Sequence, residues 1–202
     1  YDVTALGEML IDFAVNGESE QGNQLFEACP GGAPCNVLAM LNKLGRKTAF
    51  IGKVGDDQFG KLLRDTITNI GIEAKGLVMD QDIHTTLAFV HTFPDGDREF
   101  SFYRKPGADM MLKASEVAYD LIRQAEIFHF GTLSMTDETV REATIQAIAL
   151  AKEQGLLISF DPNLRPPLWK SMDEAKVQIA YGLGQCLSLI HISEPTRHSL
   201  IS

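Results

Sequence analysis

A glycine turn that opens directly into an apolar helix constrains this sequence more than any other stretch. Residues 30–36 read Pro-Gly-Gly-Ala-Pro-Cys-Asn. Glycine has no Cβ, so Gly31 and Gly32 allow a positive φ and a close approach of a ligand to the backbone. Pro34 suits the first helical turn, where its missing N–H costs nothing. Asn36 falls in the same turn, near the positive end of the helix dipole, so the stretch predicts a site for a hydroxyl-rich ligand.

The segments around this turn predict a parallel sheet. Segment 3–13 has an apolar, strand-like pattern, 34–44 a helical pattern that ends at a glycine, and 47–54 a second strand pattern. A helix between two such strands forms a βαβ unit. Ligands of open α/β sheets bind at the carboxyl ends of the strands, where Asp12 would stand. We therefore expect Asp12 and Asn36 to line one crevice.

Two further segments predict small antiparallel units outside the main sheet. Segment 13–29 is polar and contains Asn-Gly and Gly-Asn turn signals, which indicate a hairpin. Runs 85–92 and 98–104 flank a Pro-Asp-Gly-Asp turn, which indicates another. In the second run, alternation places Phe102 and Arg104 on one face. An isolated hairpin is only marginally stable, so these units must cover another part of the molecule.

A later strand pattern ends in a polar loop at the same edge of the sheet. Residues 156–160 read as a buried strand, and Asp-Pro-Asn-Leu-Arg follows at 161–165. Asn163 can orient a phosphate or a metal-bound water. Arg165 can bind an anion or stabilise a transferring phosphoryl group. The loop therefore predicts a functional contribution at the crevice that holds Asp12.

One apparent nucleotide motif is rejected. Residues 55–62 nearly match the phosphate-binding pattern GxxxxGK[ST], but Leu62 offers no hydroxyl to Mg²⁺. Two acidic residues also stand where backbone amides should meet phosphate. Asp57 is instead predicted to cap a helix that runs to about Ile70.

Composition excludes several other classes of function. The chain has 18 Lys and Arg against 27 Asp and Glu, a formal charge of −9, which argues against a nucleic-acid or anionic-membrane surface. It shows neither an apolar run long enough for a membrane span nor a signal peptide. Its three cysteines, Cys29, Cys35 and Cys186, form no CxxC pair. This pattern favours a reduced, cytoplasmic setting.

Five motifs, in order, resemble the ribokinase or PfkB family of carbohydrate kinases. They occupy residues 7–12, 30–36, 52–60, 98–110 and 161–169. The last two resemble the fructokinase branch in particular. The resemblance runs from residue 2 to about residue 185.

The resemblance implies an α/β, ribokinase-like fold of three layers across residues 1–186, with a mostly parallel central sheet. It also implies a small β-sheet lid built from about 13–29 and 85–105. The implied activity is phosphorylation of a sugar hydroxyl with ATP and Mg²⁺, together with a monovalent cation such as K⁺. Fructose is the expected substrate, and 2-keto-3-deoxygluconate, ribose and nucleosides are the alternatives. A homodimer through the lid is a further expectation.

The family motifs map onto specific residues of this chain. The residues expected to bind the sugar are Asp12, Gly31, Gly32, Ala33, Asn36, Phe102 and Arg104. Arg165 is expected to act in catalysis, and Asn163 to orient phosphate or metal. No metal ligand is predicted. An acid sugar would want an additional cation beside Arg104 and Arg165, and Lys105 keeps that alternative open.

The last residues do not follow the family pattern. Residues 187–202 resemble translated adapter sequence, so His191 and His198 are not interpreted as ligands. The family motif Gly-Ala-Gly-Asp supplies the catalytic base and an anion hole, and it does not occur in this sequence. We expect the 202 residues alone to give no sugar phosphorylation, and a non-catalytic sugar-binding fragment is the alternative function.

Overall fold

The computed structural model describes residues 1–93 and 98–186, so the predicted turn at 94–97 and the segment 187–202 lie outside the described residues. The strands are β1 (Val3–Leu6), β2 (Leu10–Glu18), β3 (Gln24–Gly31), β4 (Thr48–Gly55), β5 (Glu73–Asp80), β6 (Leu87–Thr92), β7 (Arg98–Tyr103), β8 (Ile127–Gly131) and β9 (Leu157–Asp161). The α-helices are α1 (Ala33–Lys43), α2 (Gln58–Asn69), α3 (Tyr119–Arg123), α4 (Glu138–Glu153) and α5 (Met172–Gln185).

The central sheet has the order β5-β4-β1-β8-β9, and each neighbouring pair is parallel. Helices α1 and α2 pack on one face, whereas α3, α4 and α5 pack on the other. Strand β4 is buried at every position because both faces of a parallel sheet are covered in this way. The predicted three-layer α/β fold with a parallel central sheet is confirmed.

The first strand pattern does not form one strand, and that part of the prediction was wrong. Strand β1 ends at Leu6, and the chain then crosses to a second sheet, which β2 joins. The Gly7 N–H still donates to the carbonyl of Ile51 in β4. A Cβ at Gly7 would lie 2.6 Å from Cγ of Pro34, so this residue must be small where α1 begins. Asp12 therefore lies in the second sheet and not at the end of β1.

The second sheet has the order β3-β2-β6-β7 and is called the lid sheet below. Strands β2 and β3 form an antiparallel hairpin, as do β6 and β7, while β2 and β6 are parallel. Alternation gives the sheet two different faces. Asp12 and Phe102 lie on one face. On the other face, Phe89 contacts Phe13 and Tyr103.

The helix cap predicted for α2 is observed. Asp57 caps α2 by accepting from the Gly60 N–H at 2.8 Å, which confirms that residues 55–62 form a capped helix start. Ser171 caps α5, and Asp137 caps α4. Residues 114–123 form a short 3₁₀ turn followed by the five-residue α3.

Candidate functional site

A cavity of about 430 Å³ lies between the lid sheet and the exit loop of β9. Its volume falls in the usual range for small-molecule sites, about 300–1,000 Å³. The lining residues are Glu8, Leu10, Asp12, Gly32, Ala33, Asn36, Phe100, Phe102, Leu133, Asn163 and Arg165. The structure therefore brings together every residue predicted for the site except Gly31 and Arg104.

The two glycines of the turn are needed for different reasons. Gly32 has a φ of 125°, and a Cβ there would lie 2.5 Å from the carbonyl oxygen of Glu8. A side chain at Gly32 is therefore excluded both by conformation and by space. A Cβ at Gly31 would lie 2.5 Å from Oδ2 of Asp12. Gly31 thus shapes the site indirectly, by leaving room for the Asp12 carboxylate.

Asp12 and Arg165 bring opposite charges to the cavity from different sheets. Burial raises the pKa of the Asp12 carboxyl above its ordinary value, and the nearby Arg165 guanidinium opposes this rise. The guanidinium carbon of Arg165 lies 5.5 Å from the centre of the Phe100 ring, a cation–π distance. Phe100 also stacks on Phe102, with ring centres 5.9 Å apart. One wall of the cavity is therefore aromatic and carries a cation at its edge.

Main-chain hydrogen bonds fix the loop after β9. The Asn163 N–H donates to Oδ1 of Asp161 at 3.1 Å, and the Asn163 carbonyl accepts from Oγ1 of Thr132 at 2.5 Å. These bonds hold the loop against the end of β8. Asn163 and Arg165 consequently reach the cavity from a fixed backbone.

Arg104 lies behind the cavity wall in a buried ion pair. Its Nε and Nη2 each lie 2.7 Å from Oδ2 of Asp109, and both side chains are 2% exposed. Its Nη1 donates to Oγ1 of Thr136 at 2.9 Å, and Nη2 donates to the carbonyl of Leu133. We call this group the Arg104–Asp109 clamp. It joins the end of β7 to the loop after β8, and the expected sugar contact of Arg104 stays a prediction.

Glu8 is a cavity residue that the sequence analysis missed. It is 3% exposed, and its Oε1 accepts from the Ala33 N–H at 2.9 Å. Burial raises the pKa of this carboxyl to about 7, and the Asp109 carboxylate adds to the rise. The hydrogen bond from Ala33 and the charge of Arg104 oppose the rise. The available signal was an acidic residue four positions before Asp12, within a motif already identified.

Other surfaces fit a small polar ligand less well. A cleft of about 660 Å³ lies at the amino ends of β4 and β5, and it includes Lys47 and Glu73. Ligands in open α/β sheets bind at the opposite, carboxyl ends, so the smaller cavity is the better candidate. The described residues contain no cluster of three side chains suited to a metal ion. None of the helices in 1–93 and 98–186 is long and apolar enough to cross a membrane.

Comparison with known proteins places the chain among sugar kinases. It is 49% identical to fructokinase-2 of Solanum lycopersicum over 179 aligned residues. The alignment covers 88% of this chain and 55% of that protein. The fructokinase of Xylella fastidiosa has a similar structure, with a TM-score of 0.85 and 34% identity over 92% of this chain and 57% of that one. The same enzyme with bound ATP gives a TM-score of 0.84, with 92% of this chain and 59% of that one covered.

The chain spans about half the length of the curated relatives it matches. The family model for pfkB family carbohydrate kinases matches residues 2–199, nearly the whole sequence. The fold and the cavity agree with this match, since the sheet order and the glycine turn place polar residues at one edge. The chain belongs to the pfkB family of carbohydrate kinases.

Proposed function

We propose that the full-length gene product is an ATP-dependent kinase that converts fructose to fructose 6-phosphate. The observation that carries the proposal is the cavity in which Asp12 and Asn36 meet Arg165 under the lid sheet. The relatives named fructokinase, and the fructokinase structure with bound ATP, support the same activity.

The acceptor side of the cavity suits a sugar. The Asp12 carboxylate accepts hydrogen bonds from sugar hydroxyls, and the Asn36 amide can both donate and accept. Gly32 and Ala33 line the cavity with little side-chain bulk, which leaves room for a sugar beside the turn. Phe100 and Phe102 cover the sugar and keep out water, which would otherwise compete as a phosphoryl acceptor.

The loop after β9 provides the phosphoryl side of the proposed reaction. The primary hydroxyl attacks the γ-phosphoryl group in line as the bond to the β–γ bridging oxygen breaks and ADP leaves, and Arg165 stabilises the charge that develops on the phosphoryl group. The hydroxyl proton passes to the catalytic base that the family motif Gly-Ala-Gly-Asp would supply in the full-length gene product. Asn163 orients the phosphate. Mg²⁺ supplies charge neutralisation on the nucleotide; it would arrive with ATP, since the described residues offer no cluster of three ligands for it. A requirement for K⁺ is part of the proposal.

Charge favours fructose over 2-keto-3-deoxygluconate. The alternative needs a cation beside Arg165 to pair with the sugar carboxylate. Arg104 does not meet this need, because its guanidinium is bonded to Asp109, Thr136 and Leu133. Asp12 also contributes a negative charge next to Arg165. A second carboxylate in this cavity would be desolvated without matching compensation.

The first test is Asp12→Asn in the full-length gene product, assayed with fructose and with ATP. Hydrogen bonds to charged groups contribute about 1.5–3 kcal/mol, so the fructose KM should rise about 10- to 100-fold while the ATP KM changes little. Asp120→Asn is the matched control, since Asp120 is an exposed partner of Arg123 on α3. An unchanged fructose KM would remove Asp12 from the site, and a preference of the parent for 2-keto-3-deoxygluconate would overturn the substrate.

The outer face of the lid sheet supports the proposed homodimer. Val15 and Phe26 are each 41% exposed there, and Tyr103 is 66% exposed. A second copy of the chain would bury this apolar face. Sedimentation equilibrium of the parent and of Phe26→Glu tests the contact. We expect the parent to be a dimer and the variant to be a monomer.

The cytoplasmic setting inferred from the cysteines also stays a proposal, as does inactivity of the 202 residues assayed alone.

A further inference from the structure

The proposed reaction does not use the side chain of Glu8. Burial of this carboxyl disfavours its ionised form. It lies where the chain passes from β1 to β2, beneath the glycine turn. Its Oε1 accepts from Ala33, but its Oε2 is buried without a hydrogen-bond partner among the described residues. A buried polar atom without a hydrogen-bond partner destabilises the fold. Such a group requires an explanation, and its place on the cavity wall suggests one.

The charged groups around Glu8 come from several elements. Asp109 and Arg104 reach it from the clamp, and the buried Cys35 thiol faces it from α1. The amino end of α1 favours an ionised carboxyl, as does the Ala33 N–H. Burial and Asp109 outweigh both, so the pKa of Glu8 lies at about 7. The neutral and the ionised form of this carboxyl are therefore close in free energy near pH 7.

We propose that Glu8 is a positioning residue whose neutral carboxyl holds the Gly32–Ala33 turn in place for sugar binding. The proposal rests on the function proposed above. In the neutral form, Oε1 still accepts from Ala33 and no charge is buried. In the ionised form, the buried Glu8 carboxylate is desolvated and repelled by the Asp109 carboxylate. Contact with solvent would relieve this cost. Solvent can enter when the turn moves away from Glu8, so ionisation favours a displaced turn and weaker sugar binding.

The predicted pH dependence has the opposite sign to that expected from Asp12. Ionisation of Asp12 improves a hydrogen-bond acceptor, so it should strengthen sugar binding as the pH rises. Ionisation of Glu8 should weaken sugar binding above pH 7, by up to about tenfold per pH unit if only the neutral form binds. ATP binding should not follow Glu8, because the residue acts on the turn that lines the sugar cavity.

The test compares three forms of the full-length gene product between pH 6 and pH 8.5. In the parent, the fructose KM should rise several-fold above pH 7. Glu8→Gln keeps an acceptor for Ala33 but cannot ionise, so its fructose KM should stay level and fall below that of the parent at pH 8.5. Glu8→Ala removes the acceptor and should raise the fructose KM about tenfold at every pH, with the ATP KM unchanged.

Glu126→Gln provides the matched control, because Glu126 is exposed beside the start of β8. It should keep the pH profile of the parent. A Glu8→Gln profile that matches the parent, or a Glu8→Ala variant with the parental fructose KM, would overturn the proposal. A parent that does not phosphorylate fructose at any pH would instead reject the proposed function. Fructose binding measured by calorimetry at pH 6 and 8.5 then shows whether Glu8 still controls the turn.

Discussion

The central sheet and the lid sheet are built from the same chain but are stabilised in different ways. In the central sheet, β4 is buried at all eight positions between two layers of helices. In the lid sheet, one face lines the cavity and the other carries partly exposed aromatic residues. The central sheet thus gains its stability from burial on both faces. The lid sheet depends on its attachments, which include the buried Arg104–Asp109 clamp.

The largest effect should come from breaking the clamp between the two sheets. Asp109→Ala leaves the Arg104 guanidinium buried without its carboxylate, which should lower the free energy of unfolding by about 3–5 kcal/mol. Asp120→Ala breaks an exposed pair with Arg123 and should change it by less than about 1 kcal/mol. Urea denaturation of both variants gives the comparison. Equal losses would show that the clamp does not attach the lid sheet.

A second comparison removes apolar atoms from each sheet in turn. Ile51 is fully buried in β4, so Ile51→Ala should lower the free energy of unfolding by about 2–5 kcal/mol. Val15 is 41% exposed in the lid sheet, so Val15→Ala should cost less than about 1 kcal/mol in the monomer. Thermal unfolding at two protein concentrations also tests the dimer. A larger Val15 effect at the higher concentration is expected if a second copy covers that face.

The smallest effect is a pH dependence in which two buried groups oppose one another. Burial lowers the pKa of His129, in the central sheet, to about 4. Its contribution to stability is present above pH 6.5 and is lost as the pH falls toward 4. Glu8 has a raised pKa of about 7, so its contribution is present below pH 4.5 and is lost as the pH rises toward 7. For each group, the free energy of unfolding should change by at most about 1.4 kcal/mol per pH unit.

Substitution of either group should reveal the slope of the other. Glu8→Gln should lose stability on acidification from pH 6.5 to 4.5, whereas His129→Gln should gain stability over the same range. Guanidinium denaturation at pH 6.5 and 4.5 measures both. If the two variants show slopes of the same sign, at least one of these groups does not titrate as its burial requires.

Residues whose position depends on local sequence were placed at the cavity as predicted, while their roles stay predictions. The glycine turn, Asn36 and the 161–165 loop carry their own signals, since turn chemistry and the carboxyl end of a strand are both visible in sequence. Asp12 also reached the cavity, although through the lid sheet and not the central one. A largely apolar pattern over 3–13 hides the change of sheet, because β1 and the first two residues of β2 are buried.

Residues whose role depends on a distant partner were not predicted. Alternation gave the correct face for Phe102, but only the fold shows that the Arg104 guanidinium pairs with Asp109; the sugar contact expected of Arg104 stays a prediction. Strand β5 escaped notice because Glu73, Lys75 and Asp80 interrupt its pattern at the edge of the sheet. Glu8 looked like one acid among many, since its burial follows from packing that the sequence does not display.

The change of sheets after β1 also has a consequence for how such a chain can be altered. The β2–β3 hairpin enters at Leu10 and leaves at Gly31, and these two residues are paired directly across the ladder. The two ends of the hairpin therefore lie next to each other on adjacent strands. Strand β1 precedes the hairpin in the chain, and α1 follows it. A replacement hairpin that keeps the pairing of β2 with β6 could be joined at Leu10 and Gly31. Asp12, Val15 and Phe26 would travel together on such a hairpin, so the proposed sugar contact and the proposed dimer contact would be exchanged in a single replacement.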